Sequence, residues 1–250
     1  MRYRRIFVQS DEIVLDKIVL SDRNARYVCK VLRHRQGDVL KVLDGQREYL
    51  VRLLRCRPTE VMGEIIEMTC EDIAESGRII LAFSCVRPGP MEEILRHGTE
   101  LGVTRFVPLL SRRSNRRPTA RKDRWEAVVG SAAAQSGRLE VPTVDAPIPL
   151  NEFLAEEPGT GCNVLLTTST DGAPLLRLLD ESRDSRVAIL VGPEGGFTPV
   201  EETEAEEAGF VRSTLGPRVL RTETAAIVAA GIVTAWQESR CGISFETRDS

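Results

Sequence analysis

Several familiar chemical signatures are missing from this chain. It has only two histidines, and its six cysteines (Cys29, Cys56, Cys70, Cys85, Cys162 and Cys241) are dispersed, with no Cys-X-X-Cys pair. Protein zinc sites are built from clustered cysteine and histidine, so no metal site is expected. A disulfide framework is out of character for a chain of this size, and reduced, buried thiols in a cytoplasm are the default. No apolar run approaches the ~18 residues that a membrane-spanning helix needs. The opening residues, MRYRRIFVQSDE, are basic but lack the apolar stretch of a secretory signal, so a cytoplasmic protein is expected. There is no GxGxxG fingerprint for a dinucleotide, and no lysine follows the glycines as in a phosphate-cradling loop. Internal repeats and low-complexity segments are also missing.

What is present is the composition of a globular protein, 42% apolar and 28% charged. A chain of 250 residues has room for one large domain or two smaller ones, with an ample core. Residues 5–8, 13–20, 39–43, 49–54 and 61–68 read as short strands, which at this spacing suggest a small β-barrel. One helical stretch interrupts them at 22–35, with Ala25, Val28, Val31 and Leu32 on one face. The polar segment 71–77 ends in glycine and reads as a linker. We therefore expect domains at 1–72 and 73–250.

After the linker, strands alternate with helices, which implies an α/β fold with a parallel sheet. Strands are expected at 79–85, 103–109 and 164–168. Helices are expected at 90–101, with Met91, Ile94, Leu95, Gly98 and Leu101 on one stripe, and after a Thr119 cap, with Trp125, Val128, Val129 and Ala132 facing the core. General connection rules favour an unknotted, doubly wound sheet.

The chemistry concentrates near the C-terminus. Val187–Val191 is an apolar, β-branched run that reads as a buried parallel strand. It runs into Gly192-Pro193-Glu194-Gly195-Gly196-Phe197, where glycines leave room for a ligand to approach the backbone. Thr198-Pro199-Val200-Glu201 then has the form of a helix start. A second strand, 210–215, breaks at Gly216-Pro217 and leads through Arg218-Val219-Leu220-Arg221 to a helix that Thr222 is placed to cap. That helix carries Ile227, Val228, Gly231, Ile232, Ala235 and Trp236 on a stripe of period near 3.6, and it is rich in small residues. It is either an ordinary core helix or one that packs closely on a second subunit. One glycine loop alone is as consistent with a plain strand–turn–helix connection as with a site. Two adjacent ones can build a pocket of backbone groups for a flat, polar small molecule.

These residues resemble a known family. GPEGGF followed by LGPRVLRTETA is similar to the signature of the RsmE-type ribosomal RNA methyltransferases. The resemblance continues through Arg5-Ile6-Phe7-Val8, Val31-Leu32-Arg33 with Gly37-Asp38, Thr99-Glu100-Leu101-Gly102-Val103 with Pro108 and Arg113-Ser114, and Gln135-Ser136-Gly137-Arg138 with Pro142. It spans residues 4 to about 236 in family order. Departures from the family pattern fall at Tyr27, His97, Arg112 and Ala134, outside both C-terminal loops. The resemblance implies a SPOUT (trefoil-knot) methyltransferase domain preceded by a PUA-like RNA-binding barrel. It further implies S-adenosylmethionine as cofactor, methylation of N3 of a uridine in 16S ribosomal RNA, and a homodimer formed through the C-terminal helix. Two alternatives stay open. One is a SPOUT enzyme acting on another nucleotide, such as a ribose 2′-OH, and the other a non-catalytic RNA-binding protein of ribosome assembly.

The net charge of −3 hides an uneven division: residues 1–60 carry +6 and the remainder −9. A second basic run, Arg112, Arg113, Arg116, Arg117, Arg121, Lys122 and Arg124, lies within the acidic part. Such clusters are either solvated loops or the footprint of a phosphate-backbone binder. Arg5, Arg33, Arg113 and Arg116 are the RNA-contact candidates. For the cofactor, the candidates are Thr167, Thr168, Leu190, Gly192, Glu194, Gly195, Gly196, Leu215, Gly216, Val219, Leu220, Thr224 and Ala225, with Gly195 singled out as the position where a side chain would block binding. N3 of uridine carries a proton and is a poor nucleophile. Arg218 or Arg221 near the uracil carbonyls is a candidate to stabilise the developing anion, and Glu194 or Glu223 to accept the proton. Each arginine is equally consistent with a structural tie between loop carbonyls, and Glu223 with a first-turn acid that favours the helix dipole.

Overall fold

Period-two hydropathy in the first seventy residues does produce short strands, and the computed structural model shows how they pair. It describes residues 4–8, 12–14, 16–44, 47–69, 78–114, 122–138, 140–156, 161–168 and 172–240. The 71–77 linker, the Thr119 cap and Arg116 lie outside these. The chain divides into two compact units, residues 1–74 with 133–141, and residues 75–132 with 142–250.

The first unit contains β1 (Arg5–Phe7), β2 (Ile13–Val14), β3 (Lys17–Ser21), α1 (Asp22–Arg26), a π-helical turn (Tyr27–Val31), β4 (Val39–Leu43), β5 (Glu48–Arg57) and β6 (Glu60–Thr69). They form a six-stranded sheet in the order β1-β4-β5-β6-β3-β2. Its pairings are antiparallel except for the parallel pair β1–β4. Alternate residues, among them Ile18, Leu20, Leu40, Val42, Val51 and Leu53, share one apolar core with Ala25 and Val28. The single strand expected over 13–20 is instead two, β2 and β3, folded back on each other with Ile13 opposite Ile18.

The helical stretch also differs from expectation. Leu32 N–H donates to the Tyr27 carbonyl at 2.9 Å, one residue beyond α-helical spacing. The extra residue in that turn rotates Val31 off the core face, and it is 64% exposed. The helix stops short of residue 35 because Arg33 adopts φ 59°, where glycine is the usual occupant. Two thiols meet nearby, with Cys29 Sγ 2.9 Å from Cys56 Sγ. Burial, with the Cys29 contact second, pushes the Cys56 thiol up to about 12.

The second unit is built on β7 (Ile79–Ser84), α2 (Pro88–Glu100), β8 (Arg105–Leu110), α3 (Lys122–Ser136, whose residues from 133 count with the first unit), β9 (Thr143–Val144), β10 (Ile148–Pro149), α4 (Leu150–Glu156), β11 (Cys162–Leu166), β12 (Ala173–Pro174), α5 (Leu175–Glu181), β13 (Val187–Val191), α6 (Pro199–Glu207), β14 (Val211–Thr214) and α7 (Thr222–Arg240). Its eight-stranded sheet runs β10-β8-β7-β13-β11-β14-β12, with β9 also on β8. Every described pairing is parallel. Both faces are covered, which is why the central strands read as continuous apolar runs. Val187, Ile189 and Val191 face a cluster with α2, α3, α5 and α7, while Ala188 and Leu190 face one with α4 and α6. The short helices α4 and α5 have seven residues each, less than two full turns of periodicity for a sequence pattern to register.

On α7 the core stripe is shifted from the one expected. Ala226, Ala229, Ala230, Val233 and Trp236 are buried, whereas Val228 is 39% exposed and Ala235 is exposed. Small residues let this helix lie close to the sheet, so the alanines and not the larger Ile227 and Val228 face inward.

One packing prediction follows from α2. A Cβ on Gly98 would sit 2.6 Å and 2.9 Å from the Phe106 ring, which is fully buried. Replacing a helical glycine by alanine gains about 0.8–1 kcal/mol of propensity, but overpacking a core costs about 1–3 kcal/mol. The clash should win. Gly98→Ala is expected to lower Tm by a few degrees in thermal unfolding, and an unchanged or higher Tm would show that the ring gives way freely.

Candidate functional site

Parallel strands β13, β11 and β14 lie side by side and end level: Leu166 is opposite Val191 on one side and Ser213 on the other. Their C-terminal ends therefore release three loops into one region, the usual place for a ligand in an open α/β sheet. A cavity of about 220 Å³ opens there.

The loop after β13 supplies one wall. Gly192 is set by close approach: an added Cβ would meet the Phe197 ring at 3.1 Å and the Phe197 nitrogen at 3.2 Å. Gly196 has φ +69°, and a Cβ there would meet nothing within 4 Å. The loop then enters α6 through a capping box, with the Thr198 hydroxyl accepting from Glu201 N–H and the Glu201 carboxylate accepting from Thr198 N–H at 2.8 Å. Glu201 is only 4% exposed. Burial by itself would raise its pKa, but backbone donors from Thr198 and Arg112 outweigh it and hold the carboxyl below its ordinary value.

The loop after β14 supplies the facing wall. Thr222, expected to cap α7, is its first residue, and its hydroxyl donates instead to the Gly192 carbonyl at 3.0 Å, tying the two loops together.

Most of the cofactor candidates meet at this cavity. Thr167 and Thr168 line it from the β11 end, Gly192, Glu194, Gly195 and Gly196 from the β13 loop, and Leu215, Gly216, Val219, Leu220 and Ala225 from the β14 loop and α7. Leu190 is elsewhere: it is fully buried in the cluster under α4 and α6. Thr224 also lies outside the lining, on the exposed side of the first turn of α7.

Of the candidate catalytic groups, Arg218 and Glu194 line the cavity. Among the described residues no carboxylate pairs with Arg218. Arg221 does not line it; its side chain is 81% exposed and stands 4.0 Å from Glu223. Glu223 is likewise outside the lining. Sequence reading missed Phe197, Glu202 and Thr214 as lining residues. Glu202 carried a signal only as a first-turn acid of α6, and it pairs with Arg212 at 3.2 Å.

Two of the RNA-contact candidates, Arg5 and Arg113, have local partners of their own. Arg5 Nε donates to Glu48 at 3.0 Å, and Lys41 bonds the same carboxylate. Arg33 is the exposed residue at positive φ. Arg113 Nη1 donates to the Gly195 carbonyl at 2.6 Å, which brings this arginine to the glycine loop. Among the described residues no group of three or more His, Cys, Asp or Glu is placed to hold a metal, and no helix is long and apolar enough to cross a membrane.

A Cβ at Gly196 or Gly216 would meet nothing of the protein within 4 Å, so space beside these backbones is open to another molecule. Residues 74–234 match the model of the RNA methyltransferase domain family. The chain is 32% identical over 241 residues to the ribosomal RNA small subunit methyltransferase E of Synechocystis, covering 94% of this chain and 78% of that one. It is 29% identical over 235 residues to the protein of the same name from Rickettsia conorii, covering 92% and 94%. Among solved structures, it is similar to a ribosomal RNA small subunit methyltransferase E from Neisseria gonorrhoeae bound to S-adenosyl methionine. That likeness has a TM-score of 0.84 and 32% identity, covering 95% of this chain and 98% of the other.

Proposed function

The chain belongs to the ribosomal RNA small subunit methyltransferase E family, and on that premise we propose that it methylates N3 of a uridine in 16S ribosomal RNA, using S-adenosylmethionine. The observation that carries this reading is the cavity at the level ends of β11, β13 and β14, whose two principal walls are the loops bearing the family signature.

When bound, S-adenosylmethionine supplies an electrophilic methyl carbon on a sulfonium. The chain's own contribution is to hold and align it. Gly192, Gly195 and Gly196 of one loop, Leu215, Val219 and Leu220 of the other, and Thr167 and Thr168 after β11 all line the cavity and are the groups that would hold it. Alignment of nitrogen, methyl and sulfur supplies much of the rate. Arg218 stabilises the charge that develops on the uracil oxygens as N3 loses its proton. Glu194, on the opposite loop, is the acceptor for that proton. Arg221, just before α7, and Glu223, in its first turn, act outside the cavity.

For RNA, Arg33 is an exposed cation held at positive φ, a backbone state that tends to persist where function requires it. The exposed strip Thr224, Val228 and Ala235 on α7 leaves an uncharged face for a second copy of the chain, so we assign the homodimer contact there. A ribosomal substrate places the protein in the cytoplasm.

The test is a nucleoside digest. Small-subunit particles lacking the modification are incubated with the protein and methyl-labelled S-adenosylmethionine, then digested. Label is expected in 3-methyluridine. Label in a 2′-O-methylnucleoside would shift the reading to a ribose methyltransferase, and RNA binding without transfer to an assembly protein.

A further inference from the structure

The glycine loop is held from outside the cavity by a turn that the catalytic reading does not use. That turn, residues 111–114, follows β8 and is itself rigidly built. Ser111 Oγ meets Ser84 Oγ at 2.9 Å, Ser111 N–H donates to Ser114 Oγ at 3.1 Å, and Ser114 Oγ donates to the Ser111 carbonyl at 2.8 Å. Ser84, Ser111 and Ser114 are all buried. Two contacts run from this turn, one to the loop after β13 and one to the first turn of α6. Arg113 Nη1 donates to the Gly195 carbonyl at 2.6 Å. Arg112 N–H donates to the buried Glu201 carboxylate at 2.7 Å. That carboxylate also accepts from Thr198 N–H at 2.8 Å and from the Thr198 hydroxyl at 2.9 Å, so it fixes the place where the loop becomes α6. The loop from Gly195 to Thr198 is thus gripped at both ends by one turn.

We propose that residues 111–114 form a strap that sets the glycine loop for the methyl donor, with Arg113 and Glu201 as its positioning residues. The inference rests on the cofactor site proposed above. Gly195 lines the cavity and its carbonyl is the atom Arg113 holds. Releasing that carbonyl lets the peptide planes around Gly195 reorient, because glycine offers little resistance to rotation. Glu201 suits the role as a carboxylate, since every group around it is a donor. A glutamine would turn an amide N–H₂ toward one of those donors.

The experiment is calorimetric titration of S-adenosylmethionine, without RNA, into the wild-type chain and the Arg113→Ala, Arg113→Lys and Glu201→Gln variants, with Tm measured for each. Arg113→Ala is expected to weaken donor binding about tenfold, the effect of roughly 1.4 kcal/mol, at nearly unchanged Tm. Arg113→Lys keeps one donor within reach and should recover part of the loss. Glu201→Gln should raise Kd in the same sense while lowering Tm. Wild-type Kd in Arg113→Ala would overturn the strap, and reduced RNA affinity in that variant would then mark Arg113 as a phosphate contact alone. Glu201→Gln with lower Tm but wild-type Kd would make Glu201 merely structural. No saturable binding by the wild type would overturn the cofactor reading itself, a result distinct from the others.

Discussion

Gly195→Val is expected to raise the dissociation constant for S-adenosylmethionine by about 100-fold while leaving Tm where it is. A Cβ at Gly195 would meet only the Arg113 Cδ, at 3.5 Å, an ordinary contact with a flexible stem. The free protein therefore has room for the first carbon of the new side chain. The bound molecule does not, because Gly195 lines the cavity. Forcing extra methyl groups into a fitted space costs about 1–3 kcal/mol, and the upper end of that range is about 100-fold in affinity. Gly192→Val makes the contrast. Its Cβ is pressed against the Phe197 ring and backbone, and Phe197 is buried in the core. That variant should lose binding and melt earlier, because the loop must move to admit the side chain. Titration calorimetry and thermal unfolding on both proteins separate the two effects. Normal binding by Gly195→Val would show that the donor does not pass over this residue, and the cavity would need another occupant.

Arg218→Ala is expected to lower kcat by about 10²–10³-fold, the usual loss when one preorganised donor to a developing anion is removed. Its effect on donor affinity should be small, within a few-fold, since the role proposed for it is at the uracil; a large rise in Kd would instead put Arg218 on the carboxylate of the donor. Arg221→Ala supplies the comparison. That side chain is 81% exposed and outside the cavity, and its nearest acid is 4.0 Å away. A pair this long whose arginine stands in solvent contributes little, so kcat should stay within about threefold of wild type. Single-turnover methyl transfer at saturating donor is the measurement. If Arg221→Ala fell and Arg218→Ala did not, the catalytic arginine would have been assigned to the wrong side of the second loop.

Much of this was legible in the chain. Continuous apolar runs announced the buried strands, and β13 ends where its sequence says it should, at Val191 before Gly192. The Thr198–Glu201 capping box is visible in four letters and present in three dimensions. Patterns of fewer than two turns were not legible, so α4 and α5 went unforeseen. Nor was the π-turn, because nothing in Tyr27–Val31 announces i→i+5 bonding, and the reading of Val31 as a core residue failed with it. On α7 the period was right and the phase was wrong: alanines face the sheet and Val228 faces out.

By itself, the sequence pointed to the loops that line the cavity, since glycine, proline and capping residues act on the backbone within a few positions of themselves. It also determined the parallel α/β class, through the spacing of apolar runs. Only the tertiary structure decided which arginine faces the cavity. Arg218 and Arg221 are three residues apart and chemically identical, and their difference arises from how the loop after β14 turns into α7 against Gly192. Only the tertiary structure, too, brought Arg113 to Gly195 across 82 positions of chain. Hydrogen bonds of that separation depend on the order of strands in the sheet, which a local pattern of residue types does not encode.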